Sequence, residues 1–110
     1  MPEIHADIAA QVILLAREAE DTGDSTARAE LASFIAGLTE DDALMLVVLV
    51  WIGRESFTPE EWDEAMTIAR EEATTPTEDY LTGIPQLSAY LEDGLEAMGI
   101  SPADAEDDLL

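Results

Sequence analysis

Arg54 is the residue best equipped for chemistry. It is one of only four cations, all arginine, in a chain of 110 residues with 26 carboxylates. It stands in the stretch VLVWIGRESFTPEEW, residues 48–62, three positions after Trp51 and eight before Trp62. A cation this rare, next to a helix end and a tryptophan, is the sharpest functional candidate in the chain. The same cation just behind the carbonyl end of an apolar helix also neutralises the negative pole of the helix dipole, and it can pair with neighbouring acids such as Glu55. That structural role is the expectation for Arg54. Trp51 and Trp62 could form an aromatic platform, but their helical spacing within apolar stripes points to core.

The other chemical candidates fail on ligand type. His5 is the single histidine, it lies near the start, and the chain has no cysteine, so thiol catalysis is excluded and the commonest zinc ligand is missing. It is expected to be a frayed surface residue. The pairs Glu60/Glu64 and Glu92/Glu96 each put two carboxylates on one helix face. No Asp-x-Asp-x-Asp-Gly loop or Glu-x-x-His pair accompanies them, so calcium-hand and di-iron readings both fall. Paired-carboxylate catalysis needs one acid buried, and every acid here falls on a predicted exposed stripe, a cap or the tail. No glycine-rich phosphate loop follows a strand. The expectation is therefore no catalytic residue, no metal and no cofactor.

The elements that position these residues read as helices. Ile4, Ile8, Val12, Leu15 and Ala19 recur at helical spacing over about residues 3–20, and Asp21-Thr22-Gly23-Asp24 stops the run. Ser25 is a plausible N-cap for a second helix with Leu31, Phe34, Ile35 and Leu38 on its stripe, closed by Gly37. Thr39 and three acids then open ALMLVVLVWI, residues 43–52, which has no polar face and must be surrounded. Gly53 is expected to end it in the left-handed conformation. Thr58-Pro59-Glu60-Glu61 is a capping box that restarts the chain, with Trp62, Ala65, Met66, Ala69 and Ala73 turned inward. Thr75-Pro76-Thr77-Glu78 repeats that grammar for a short helix stopped by Gly83. Ile84-Pro85 begins the last helix, whose core face is Leu87, Tyr90, Leu91, Leu95 and Met98, with Gly99 behind it. Gly94 inside it costs roughly 1 kcal/mol relative to alanine, which implies a backbone or a cleft against it. Ser101-Pro102 can cap one more turn. The reading is all-α, a compact bundle of five to six helices around a central hydrophobic helix, in one domain over residues 1–110 with an acidic tail at about 103–110.

The motif Trp51-x-Gly53-Arg54, then Trp62-Asp63, then Tyr80-Leu81-x-Gly83-x-Pro85-x-Leu87-x-x-Tyr90-Leu91-Glu92-x-Gly94-Leu95, with Gly99 behind, resembles the bacterial family DUF3775, a domain of unknown function. The likeness covers about residues 8–100 and is densest from Leu38 onward. It implies a small acidic helical protein and supplies no mechanism. Members commonly carry a longer polar insertion after the first helix, which this chain shortens to residues 21–25.

Charge narrows the function further. The formal net charge is −22, and apolar residues make up 47 % of the chain, so the acid coats a folded body rather than a disordered tail. The acid is uneven: residues 56–110 hold −14 against −7 for residues 1–54. Such a surface repels nucleic acid and anionic lipid and attracts basic proteins. The longest apolar run is half of the ~20 residues that a membrane span needs. The N-terminus carries Glu3 and Asp7 where a signal peptide would be basic. The expectation is a cytoplasmic, non-enzymatic interaction or regulatory module that binds a basic protein surface or its own copy through Arg54, Glu60, Glu61, Glu64, Glu71 and Glu72, with the acidic helix at about residues 59–73 as docking edge. The alternative is a DNA mimic that inhibits a nucleic-acid-binding protein.

Overall fold

The structure is a computed structural model that describes residues 4–72 and 75–103. Among the described residues there are no strands, and six helices run α1 (Ala6–Thr22), α2 (Ser25–Ala36), α3 (Glu40–Gly53), α4 (Trp62–Glu72), α5 (Thr77–Thr82) and α6 (Leu87–Ala97), with a 3-10 turn at Pro59–Glu61 before α4. The all-α helical bundle expected from the sequence is the observed fold. Pro102 and Ala103 begin a further helical turn; Ala73 and the acidic tail from Asp104 lie outside the described residues.

The helix from Ala43 to Ile52 is central, as its apolar surface requires. Every residue there except Trp51 is buried. Such a helix has no solvent face to give up, and each buried Leu, Val or Ile contributes about 1.5–3 kcal/mol relative to exposure. α3 packs most extensively on α6 and also on α4 and α5, while α1 bridges α2 and α6, and α2 reaches α5. A single hydrophobic cluster draws on α1 (Val12, Ile13), α2 (Leu31, Ile35), α3, α4 (Trp62, Ala65), α5 (Leu81) and α6 (Leu87, Leu91, Leu95).

Gly53 corrects the sequence reading. It is the last residue of α3, and the glycines with positive φ are Gly23 and Gly99. A Cβ on Gly53 would collide with the Tyr90 carbonyl oxygen, and one on Gly94 with the carbonyl oxygen of Leu49. The two glycines let α3 and α6 cross with backbone against backbone, so the cost of Gly94 inside α6 is offset by a contact that no other residue permits. The left-handed residue after α3 is Glu55, at φ 66°.

Several helix ends also differ. Asp24 rather than Ser25 caps α2, accepting from the Thr26 N–H at 2.9 Å. The Thr75-Pro76 grammar does not form a side-chain cap: α5 starts at Thr77 behind Pro76. α6 starts at Leu87 rather than at Ile84-Pro85, and its cap comes from another helix. Glu20 of α1 accepts from the Ser88 hydroxyl at 2.7 Å and from the Ser88 N–H at 3.1 Å. An acid there satisfies orphan donors and suits the positive end of the dipole. Thr39 caps α3 as read, accepting from the Asp42 N–H at 3.2 Å.

Candidate functional site

α3 stacks Leu44, Val47 and Trp51 on one side, and Arg54, the residue just past its end, continues the series at steps of three, four and three residues. That side is packed at Leu44 and Val47, which are buried, and opens toward Trp51 and Arg54. It borders a cavity of about 360 Å³ whose other walls are Ala69 and Glu72 of α4, Thr75, and Thr77 and Tyr80 of α5. Leu44, Val47 and Ala69 are buried and form an apolar floor. Arg54, Glu72 and Tyr80 are exposed at the mouth.

The aromatic wall is fixed from two directions. Trp51 stacks on Phe57 with ring centroids 5.5 Å apart and planes at 25°, and its Nε1–H donates to the Tyr80 hydroxyl at 3.1 Å. Trp51 is thus half-buried at the rim of the cavity rather than in the core as its spacing suggested, and it makes no platform with Trp62, which is 5 % exposed within the hydrophobic cluster. A tryptophan with a polar tip can line a wet edge while its body packs on apolar neighbours.

Arg54 stands apart from the other arginines. Arg17 pairs with Glu92 at 2.9 Å, joining α1 to α6. Arg28 donates to the Thr82 carbonyl at 3.0 Å, joining α2 to the end of α5. Arg70 pairs with Asp41 at 2.9 Å, joining α4 to α3. Arg54 donates through Nε to the Ser56 Oγ at 3.0 Å, and among the described residues no ion pair involves it. The expected pairing with Glu55 is not formed; Glu55 occupies the left-handed turn after α3.

The remaining residues singled out from the sequence divide. Glu61 accepts from the Thr58 N–H at 2.8 Å and is half-buried in its capping box, so it serves the fold. Glu60, Glu64 and Glu71 are exposed, and Glu64 and Glu71, two turns apart, share one face of α4. Only Glu72 is brought together with Arg54, across the cavity. His5 is not frayed: its Nδ1 lies 2.7 Å from Asp42 Oδ1, and its N–H donates to Met45 Sδ at 3.3 Å, pinning the start of α1 to α3. Among the described residues no group of three or more His, Asp or Glu is placed to hold a metal ion, and no helix is long and apolar enough to cross a membrane.

The signal for the cavity was present in the sequence as the Leu44-Val47-Trp51-Arg54 stripe. It was hidden because α3 is apolar on every side, so no single stripe stands out. The profile of DUF3775, proteins of unknown function, matches residues 28–100. The chain belongs to this family. The match covers most of α2 and all of α3 to α6, hence both the Gly53–Gly94 crossing and the cavity, while α1 lies before it. No curated protein matches the chain, and no solved structure matches it.

Proposed function

We propose that this DUF3775 member is a non-catalytic interaction module that docks a basic protein surface, or a second copy of itself, on the acidic outer edge of α4. The observation that carries the reading is where the cations go. Arg17, Arg28 and Arg70 are spent on contacts between helices, with Glu92, the Thr82 carbonyl and Asp41, so none of them pairs with the carboxylates of the outer α4 edge. Glu60, Glu64 and Glu71 stay exposed without a partner among the described residues. A surface charged in this way steers cationic partners and rewards their docking with released repulsion.

The DNA-mimic alternative draws less support. The molecule measures 36 × 33 × 23 Å, a thick disc rather than a rod, and exposed carboxylates occur on all six helices, such as Asp7, Glu30, Glu40, Glu64, Asp79 and Asp93. Carboxylates spread over six helices do not imitate a single phosphate ridge.

The test compares the native chain with Glu60→Lys/Glu64→Lys/Glu71→Lys in sedimentation and in capture of basic proteins. The reading requires that a captured basic protein be lost in the triple variant and weaken as salt rises; a dimer of two acidic copies must instead tighten as salt screens their repulsion. A native chain that stays monomeric and captures the same proteins as the variant overturns it. Competitive displacement of the captured protein by duplex DNA would shift the reading to mimicry.

A further inference from the structure

We propose that the cavity between α3, α4 and α5 binds a small zwitterion, a free α-amino acid with an apolar side chain. Arg54 and Glu72 carry opposite charges and line the same cavity, yet they form no ion pair with each other or with any other described residue. Two unpaired opposite charges around one apolar floor are complementary to a molecule that presents both signs at once and an apolar group between them.

Other ligand classes fit less well. A plain anion would meet Arg54 but also Glu72, and it would approach against a net charge of −22. A plain cation would be drawn to the protein and then meet Arg54. A neutral apolar molecule would screen both charged groups from water without replacing their hydration. An amino acid is neutral overall, so the long-range field does not oppose it. Its carboxylate can accept from the guanidinium edge that Ser56 leaves open, since Ser56 occupies Nε. Its ammonium can donate to Glu72, and its side chain can rest on Leu44, Val47 and Ala69.

The size agrees. At about 360 Å³ the cavity lies at the low end of small-molecule sites, room for one compact ligand rather than a length of peptide. The wall is built in advance, because Phe57 and Tyr80 hold the Trp51 ring in place without a ligand, so little ordering is left to binding. The site is separate from the outer α4 edge and stands whether or not that edge docks a protein.

The experiment is calorimetric titration of the native chain with L-leucine and L-phenylalanine, beside L-leucinamide, which lacks the carboxylate, and N-acetyl-L-leucine, which lacks the ammonium. Saturable binding of at least one amino acid is expected, with both derivatives of leucine weaker by roughly tenfold. Arg54→Gln should then bind leucine and leucinamide alike, and Glu72→Gln should bind leucine and N-acetyl-leucine alike, a pattern that a purely structural role would not produce. Both side chains are exposed, so the variants should fold, and far-ultraviolet circular dichroism checks this. Absence of saturable binding by either amino acid at millimolar concentration overturns the proposal. So does equal binding of leucine and its two derivatives by the native chain, a result that needs no variant.

Discussion

On one side of α3, Leu49 and Gly53 lie against Gly94 and Tyr90 of α6 with carbonyl oxygens where a side chain would otherwise be. On the other side, Leu44, Val47 and Trp51 border a cavity of about 360 Å³ under α4 and α5. The residues on the two sides are equally apolar. What separates them is size: glycines draw one pair of helices to backbone contact, and a tryptophan held by Phe57 and Tyr80 lines the open space on the other. A helix that is apolar all round can therefore be rigidly docked on one flank and leave room for a ligand on the other. The tight flank anchors the position of the open one.

The largest effect should come from adding one carbon to each flank. Gly94→Ala would ordinarily stabilise a helix by about 1 kcal/mol. Here the new Cβ meets the Leu49 backbone, which cannot rotate aside, so the helices must part, and a net loss of about 3 kcal/mol is expected. Val47→Ile also adds one carbon to the fold, but into the cavity, and should change stability by no more than about 0.5 kcal/mol. Urea denaturation of the two variants measures the contrast. A Gly94→Ala protein as stable as the native one would show that the crossing tolerates a side chain, and the distinction between the flanks would fail.

The sequence revealed the two flanks unequally. The burial of α3 follows from ALMLVVLVWI itself, since no rotation of that segment exposes a polar face. Gly94 was legible as a close approach because glycine inside a good helix stripe is costly without a reason. Gly53 was misread because a glycine at a helix end has two uses, a left-handed turn or a close contact, and only the position of Tyr90 decides between them. Arg54 shows the same limit. Its neighbour in sequence, Glu55, suggested a local ion pair, whereas the charged residue that shares its cavity is Glu72, from a helix whose packing no spacing rule supplies. Glu20 capping α6 through Ser88 was hidden for that reason too. Local grammar reaches caps within a segment and not those lent by another helix.

A smaller effect tests the aromatic wall. Trp51→Phe keeps a ring beside Phe57 but removes the donor to the Tyr80 hydroxyl, and Tyr80→Phe removes the acceptor. Tyr80 is 37 % exposed, so water replaces part of the lost bond, and each variant should lose about 0.5–1 kcal/mol. If the bond is the shared cause, the double variant should lose less than the sum of the two. Strict additivity would mean that α3 and α5 are not joined there and that the cavity wall is looser than the Gly53–Gly94 side in a way the proposed ligand would have to correct.

The smallest effect should be that of Arg54→Ala, and its smallness is the point. Arg54 is exposed, its side chain bonds locally to Ser56, and no ion pair among the described residues depends on it. What remains is the attraction of a cation to the carbonyl end of α3, about 0.3 kcal/mol when exposed. Thermal melting should therefore place the variant within about 0.5 kcal/mol of the native protein. A loss well above that would show that Arg54 already holds an acid in the folded chain, and the cavity would then contain no free cation to receive a carboxylate. A near-neutral result keeps the guanidinium available at the open flank, where a ligand can use it, while the closed flank bears the stability that the open one gives up.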